Sequence, residues 1–515
     1  MTILEPQMKS FNMVTPLMDL KIYLLTWNVV SRPPIEDLRN VLGLEEPVDV
    51  SNLPDFFGLG LQEVSCKPQD MIAEIIVEDP WMIGFREILH KWDYVKLKQI
   101  RLLGISLYLF SKREHITHIR GLQTNYTRTG LMGMWGNKGG VSIRFSIHGC
   151  SICIVNCHLA AHDTELKQRI IDYNTILDSQ KFVDSLTENI ITHDYAFWIG
   201  DLNFRLDDYT QEEIVHLIEK KSLSPLLIKD QLRKVMKLGQ AFSEFNESPP
   251  SFSPTFKYTI GEDTYDLSKR KPAWTDRILF RFTPDAYESA TLSLKQLHYD
   301  SHQNYMQSDH KPVSSSFNIK VFSKPAEKRV TFLPINDWKV HADSIAWYTF
   351  SEGSEPSIWD WIGLYRADFT SIDEHVCYIW APVRPSGSNP LLPESVEKKD
   401  EEECSVDGAV CSSSTSKQHQ GPWYKVVFAD QTLLIPGRYR LFYISSDFDD
   451  ILGVSEPFEY KPSVESHSNA GGAFHGDGLL GGDVYLLTSV AIAMIAMLVV
   501  MLSCHNFSFL NYSDF

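Results

Sequence analysis

The tightest constraint on this chain is an apolar run that gives way abruptly to polar residues. Ala196-Phe197-Trp198-Ile199 reads as the end of a buried strand, Gly200 breaks it, and Asp201 and Asn203 follow at i and i+2. In an extended or tightly turning backbone that spacing sends both side chains the same way. A carboxylate and a carboxamide at the lip of a sheet can hold and deprotonate a water. The same residues would serve equally as an Asx turn closing a strand, so Gly-Asp-x-Asn alone decides nothing. Its meaning depends on what the rest of the chain places at strand ends.

Five other β-like runs share the design. Residues 21–28 (KIYLLTWN) finish on Asn28, and residues 56–62 (FFGLGLQ) run into Glu63. Each can offer an oxygen to a hard cation such as Mg²⁺, and each also reads as a plain polar terminus. Residues 151–155 lead to His158, well placed to donate to a phosphoryl oxygen, while His162 reads as solvent-facing or a helix cap. Asp276 heads a run behind the triplet Lys269-Arg270-Lys271, which is either a local anion site or a solvated face. Asp309-His310 head another run. Residues 131–140 (LMGMWGNKGG) form a glycine-rich loop whose Lys138 suits a phosphate, without P-loop spacing. Its Leu131, Met132, Met134 and Trp135 are either buried or a greasy tip for lipid. Helical stretches are expected over residues 69–76 and 165–186, with strands near Tyr94 and over 102–110, an alternating α/β pattern.

The ordered set Asn28, Glu63, His158, Asp201/Asn203, Asp276 and Asp309/His310 resembles the endonuclease/exonuclease/phosphatase superfamily. Residues 197–205 and 272–279 resemble the two signature motifs of its inositol polyphosphate 5-phosphatase branch, and the resemblance covers residues 16–320. It implies an α/β four-layer sandwich: two mostly antiparallel sheets flanked by helices, with all these strand ends at one rim. By the same resemblance Glu63, helped by Asn28, holds Mg²⁺ as a Lewis acid. Asp201 takes the proton from the attacking water, and Asn203 fixes that water or a phosphoryl oxygen. His158 and His310 stabilise phosphoryl charge or assist the leaving alkoxide. Asp276 orients His310, Asp309 sits near metal and histidine, and no phospho-enzyme forms. Lys257, Tyr258, Lys269 and Arg270 match residues that contact the neighbouring 4-phosphate. Many relatives carry a lysine two places before this arginine, where Ser268 stands here. The Met/Trp loop matches a lipid-contacting loop. The implied substrates are therefore PtdIns(4,5)P₂ and PtdIns(3,4,5)P₃, with soluble inositol polyphosphates as further candidates, and the implied role is to dampen phosphoinositide signalling.

Residues 322–460 show short alternating runs such as Trp347-Tyr-Thr-Phe350, the pattern of an all-β, Ig-like sandwich. Residues 360–365, 436–441 and 452–458 resemble a SKICH domain, and this domain order resembles the subfamily of the skeletal-muscle- and kidney-enriched inositol phosphatase. That implies targeting through a protein partner that the sequence does not name. Residues 385–420 read as a disordered insert and 461–483 as a flexible linker. Residues 484–504 are 21 uncharged, apolar positions, long enough to span a ~30 Å hydrocarbon core as a transmembrane tail anchor. The N-terminus shows no secretory signal, and the eight scattered cysteines suit a reducing compartment. The expected placement is membrane-anchored and cytosol-facing, with the endoplasmic reticulum favoured and the plasma membrane as the alternative. The net charge of −18 argues against a generic nucleic-acid surface. Two other readings stay open: a phosphodiesterase or nuclease of the same superfamily, and a tethered scaffold working through the SKICH domain.

Overall fold

The β-like runs read from the sequence form strands. In chain order the first domain builds β1 (Leu17–Asn28), β2 (Phe56–Gln62), β3 (Tyr94–Leu102), β4 (Ile105–Lys112), β5 (Ile119–Arg128), β6 (Gly139–Ile147), β7 (Cys150–His158), β8 (Tyr195–Asp201), β9 (Asp276–Phe282), β10 (Leu294–Ser301) and β11 (Val313–Phe322). The structure is a computed structural model. It describes residues 16–65, 78–130, 137–184, 186–268, 270–323, 329–336, 338–351, 353–387, 390, 422–430 and 435–462.

One sheet has the order β10-β11-β1-β2-β4-β3, the other β5-β6-β7-β8-β9. All neighbours run antiparallel except one parallel pair in each sheet, β1 with β2 and β7 with β8. Parallel neighbours finish at the same end, so Asn28 lies beside Gln62 and His158 beside Asp201.

Alternation of side chains explains the layers. Ile22, Leu24, Ile143, Ile152, Phe197, Ile199 and Phe317 meet between the sheets in one core. The opposite faces are also apolar. Phe57, Leu59 and Leu61 pack on Trp81, Met82 and Phe85 of the helix Pro80–Leu89. Ala196 and Trp198 pack on Tyr173 and Ile176 of the helix Leu166–Ser179. Each fully buried large side chain contributes about 1.5–3 kcal/mol relative to exposure. Gly60 lets the sheets close up, because a Cβ there would stand 2.7 Å from Asn156 and Ile199 side-chain atoms.

The helix expected over 165–186 stops at Ser179. Gln180 turns extended, and its amide donates to Gly140 O at 3.0 Å while accepting from the Ser142 hydroxyl, bonds a continuing helix could not keep. The stretch 69–76 lies outside the described residues. Cys150, Cys153 and Cys157 are buried thiols, and burial pushes the Cys153 thiol up to about 12, as expected of packing residues.

The second domain comprises β12 (Val330–Phe332), β13 (Ser344–Phe350), β14 (Trp361–Arg366), β15 (His375–Trp380), β16 (Trp423–Phe428), β17 (Gly437–Ile444), β18 (Ile451–Val454) and β19 (Phe458–Tyr460). Its sheets, β12-β13-β16 and β15-β14-β17-β18 with β19 on β17, enclose an aromatic core of Trp338, Tyr348, Phe350, Tyr424, Tyr443 and Phe458. Most of the expected insert and all of 463–515 lie outside the described residues, including the apolar segment 484–504. Among the described residues no helix is long and apolar enough to cross a membrane.

The two domains share a core: Tyr365, Phe369, Phe442, Ile444 and Ile451 join the cluster of the first domain. Backbone bonds reinforce it, Lys96 N to Thr370 O at 2.8 Å and Ile372 N to Lys96 O at 3.1 Å. The Arg113 guanidinium lies 4.2 Å over the Phe369 ring. Strand register places Lys112 and Arg113 at the Phe56 end of β2, opposite Gln62. The second domain therefore touches the first at the end away from Asn28 and Glu63.

Candidate active site

The strand ends converge. β1 carries Asn28, the residue after β2 is Glu63, β7 and β8 end on His158 and Asp201, β9 starts at Asp276, and His310 stands just before β11. Asp201 and Asp276 are direct cross-strand partners. Asn28 Nδ2 donates to Asp201 Oδ2 at 3.1 Å, tying one sheet to the other. Two residues reach the rim through left-handed backbone, Glu63 at φ 55° and Asn203 at φ 57°. Asparagine tolerates that region; for glutamate it is uncommon, and such outliers concentrate at functional sites.

Asp201 is the electrostatic centre. His158 Nε2 stands 3.2 Å from Asp201 Oδ2, and His310 Nε2 3.9 Å. Burial opposes its ionisation, but His158, His310 and Lys138 outweigh burial and hold its carboxyl well below the usual range. Asn203 N donates to Asp201 Oδ1 at 3.1 Å, and Asn203 Nδ2 to Leu159 O at 3.1 Å. The two side chains of the Gly-Asp-x-Asn motif are thus fixed relative to each other.

The histidines are held in opposite states. His310 Nδ1 lies 2.9 Å from Asp276 Oδ2, and Trp27 Nε1 pins the His310 carbonyl at 3.0 Å. Burial disfavours its charge, yet Asp276 and Asp201 prevail and raise it to about 10. His310 is therefore an imidazolium at neutral pH. Burial and then Lys138 lower His158, whose Nε2 contacts the Lys138 ammonium. The same Nε2 stands 3.2 Å from Asp201 Oδ2, and Nδ1 is buried without a partner. Arg205 Nη1 is a buried donor likewise without one. A donor left open at a rim of this kind suits an oxygen of a bound anion.

Asp201, Asp276 and His310 offer ligand atoms within 4.8 Å of one another. Distance alone would make them a metal group, but the charged His310 is hydrogen-bonded to Asp276. Glu63 is a better donor: its side chain is partly exposed, and its ion contact is His158 at 3.9 Å. Asn28 Oδ1 accepts from Val30 N at 3.2 Å and keeps a second lone pair. These oxygens fit a hard divalent cation. The other acid–histidine group, Asp55, Glu114 and His115, lies at the opposite end, where Lys112 pairs with Asp55 at 3.0 Å.

The substrate-side candidates fall out unevenly. Lys138 is in the site against His158. Lys257 pairs with Asp266 at 2.8 Å. Tyr258 is buried, its hydroxyl donating to Pro254 O at 3.2 Å, while its backbone N donates to Asp309 O at 2.9 Å. Arg270 faces His162. Burial raises the Asp309 carboxyl above its usual value. Lys269, Leu131, Met132, Met134 and Trp135 lie outside the described residues.

Other contributors have no role assigned from the sequence, although Thr275 and Arg205 lie inside the two motifs. Thr255 and Thr275 donate to Asp276 Oδ2 at 2.7 and 2.9 Å. Arg205 bonds Asn203 Oδ1 and lies 4.8 Å over Phe256. Behind the rim Gln62 Nε2 donates to Asn156 Oδ1 at 2.6 Å, and Asn156 Nδ2 to Leu61 O at 3.1 Å, satisfying buried polar groups between the sheets.

Comparison with known proteins places these features in company. The family model described as "Endonuclease/Exonuclease/phosphatase family 2" matches residues 25–316, and that of the SKICH domain matches residues 330–460. Phosphatidylinositol 4,5-bisphosphate 5-phosphatase A of Rattus norvegicus is 35% identical over 461 residues, 87% of this chain and 43% of the relative. Inositol polyphosphate 5-phosphatase K of Mus musculus is 36% identical over 372 residues, 70% of this chain and 79% of the relative. The solved inositol polyphosphate 5-phosphatase domain of SPsynaptojanin, in complex with inositol (1,4)-bisphosphate and calcium ion, is 32% identical with a TM-score of 0.52. It covers 60% of this chain and 87% of that one. The chain spans less than half the length of the first of these relatives.

Proposed function

The chain belongs to the endonuclease/exonuclease/phosphatase family 2, and from that premise we propose that it is a Mg²⁺-dependent phosphoinositide 5-phosphatase. Its substrates on this reading are PtdIns(4,5)P₂ and PtdIns(3,4,5)P₃. The observation that carries the proposal is one buried carboxylate, Asp201, held ionised between His158, His310 and Lys138, with the unpartnered Arg205 Nη1 nearby.

Held by Glu63 and Asn28, Mg²⁺ would polarise a phosphoryl oxygen and offset its developing charge. Asp201, ionised throughout the physiological range, orients the attacking water and receives its proton. Asn203, locked by Leu159 and Arg205, fixes the direction of that water. The His310 imidazolium donates to the developing charge, and Asp276 keeps it charged and correctly turned. The Lys138 ammonium beside His158 supplies further positive character. Lys257, Tyr258, Lys269 and Arg270 are proposed to read the 4-phosphate, and the loop at residues 131–135 to meet lipid. The apolar segment 484–504 is proposed to hold the protein on a membrane facing the cytosol, with the endoplasmic reticulum favoured. The SKICH domain is proposed to engage a protein partner.

Phosphate release with Mg²⁺ tests this directly, using PtdIns(4,5)P₂, PtdIns(3,4,5)P₃, Ins(1,4,5)P₃ and DNA side by side, with Asp201→Ala as control. Release from 5-phosphorylated lipid, lost in the variant, is the expected result. Cleavage of DNA alone would overturn the proposal in favour of a phosphodiesterase.

A further inference from the structure

At the end of β14 and the start of β17, three arginines converge around a cleft of about 450 Å³ lined by Arg366, Ala367, Asp368, Arg438, Arg440 and Pro457. Arg438 and Arg440 sit at i and i+2 on one strand and so share a face. Arg366 stands opposite Tyr439 on the neighbouring strand, a position of the other face, and reaches the cleft from the end of β14. Acidic neighbours are present, and their placement is informative. Asp368 meets Arg366 at Nε, 3.4 Å away, and Glu459 meets Arg438 at Nε, also 3.4 Å. Both arginines stay more than half exposed, at 56% and 64%, and neither Nη pair is engaged in these contacts. Arg440 is different: Nη1 reaches Ser455 O at 3.4 Å, while Nε is buried without a partner. Burial, Arg113 of the first domain and Arg438 disfavour its charge, while Glu456 and Asp93 favour it. Arg113 Nη1 is likewise buried and unpaired.

We propose that this cleft is a second anion site, taking a phosphate monoester on the paired forks of Arg366, Arg438 and Arg440. A doubly charged, three-oxygen group can accept from more guanidinium forks at once than a carboxylate's two oxygens or a halide can. The site is not the catalytic one, because β14 and β17 belong to the domain that packs at the end opposite Asn28 and Glu63. The acidity of the whole chain, −18, argues against a general polyanion surface. The ligand is the phosphate group itself, presented either by a soluble inositol phosphate or by a lipid headgroup. The proposal rests on no assignment of the active-site reaction.

The test uses the full chain in detergent and inositol (1,4)-bisphosphate, titrated calorimetrically against the wild type and Arg366→Ser/Arg438→Ser. The wild type is expected to show a binding class that weakens about tenfold or more in the variant. The corresponding Arg→Lys pair, which keeps charge but loses the fork, is expected to fall between. Flotation with phosphatidylcholine vesicles carrying PtdIns(4)P separates the sources: loss in the variant there assigns a lipid headgroup, and loss only in the calorimeter assigns a soluble phosphate. Hydrolysis of Ins(1,4,5)P₃ and the thermal midpoint are expected to be unchanged in the variant. Identical isotherms for wild type and a folded Ser variant would overturn the proposal, as would equal flotation together with equal isotherms. A Ser variant that loses its thermal transition would pass the decision to the Lys pair, where unchanged binding overturns it.

Discussion

His310 Nδ1 and Asp276 Oδ2 meet at 2.9 Å, in a buried pair where Thr255 and Thr275 also donate to the carboxylate. An ionised carboxylate only accepts, so the imidazole Nδ1 carries the proton, and Nε2 faces Asp201 at 3.9 Å. The arrangement makes His310 a cation whose position and charge depend on a neighbour that need not touch substrate.

Replacing that neighbour should be visible in a pH profile. In the wild type His310 titrates near 10, so its donor role persists up to that pH. Asp276→Asn removes the larger of the two carboxylate effects and moves the basic limb of kcat/KM down toward neutrality, with a loss of roughly 10²-fold at pH 8. Linkage gives a second readout. A histidine raised in the folded state stabilises fully below its unfolded value of 6.5 and loses that contribution as pH rises through about 10. The variant should therefore show a flatter dependence of Tm on pH between those limits. A basic limb that stays in place would remove His310 from the reaction.

Gly200→Ala tests how tightly Asp201 is placed. Gly200 has φ +144°, and a Cβ there would lie 2.1 Å from Cys157 O, in the parallel pair that carries His158. Backbone cannot yield as a flexible side chain would. The expected cost is on the order of 2–4 kcal/mol of stability, read from urea denaturation. At temperatures where the variant stays folded, kcat should fall more than KM changes, because the strand end carrying Asp201 moves.

That glycine also marks what the sequence could tell. An apolar run broken by Gly200 and followed by Asp201 is a local signal, and local signals located Asn28, Glu63, His158, Asp276 and His310 as well. Two parallel pairs then bring those ends to one rim, a consequence of topology rather than of any single motif. The partners that tune the site were harder to see. Thr255 stands 21 residues from Asp276, and Gln62 lies 94 from Asn156, distances over which no periodicity speaks. The helix expected to reach residue 186 ended at Ser179 because Gln180 found tertiary partners in β6, which a helical pattern cannot register. The docking of the second domain was equally silent, since Phe369 reads as one more aromatic residue until Arg113 lies over it.

Phe369 gives the interface its own test. It is 3% exposed, packs edge-on to Phe442 with centroids 5.0 Å apart, and carries the Arg113 guanidinium on its face. Truncating a buried phenylalanine costs about 3–5 kcal/mol. Phe369→Ala should accordingly split a single calorimetric transition into two, with the second domain melting first. Turnover of a soluble substrate should be preserved at temperatures below the first transition, because the interface lies at the end away from Asp201. Loss of turnover in step with the first transition would mean that the second domain supports the catalytic rim.

Arg277, within the motif that carries Asp276, is fully buried and serves structure. Its Nη1 donates to Asp230 Oδ2 at 2.7 Å, and its Nε to Glu247 Oε1 at 2.7 Å. One cation thus answers two carboxylates, and burial followed by Glu247 raises the Asp230 carboxyl above its usual value despite the arginine. The pair should respond unequally to mutation. Asp230→Asn removes the excess negative charge and keeps an oxygen to cap the helix Gln231–Lys237 through Leu232 N, so Tm should change little. Arg277→Met leaves two buried carboxylates uncompensated and should cost about 3–5 kcal/mol. Because protonation relieves that repulsion, the deficit should shrink as pH falls and grow as it rises. Equal destabilisation by the two substitutions, or a deficit independent of pH, would show that packing rather than charge holds this corner of the sheet.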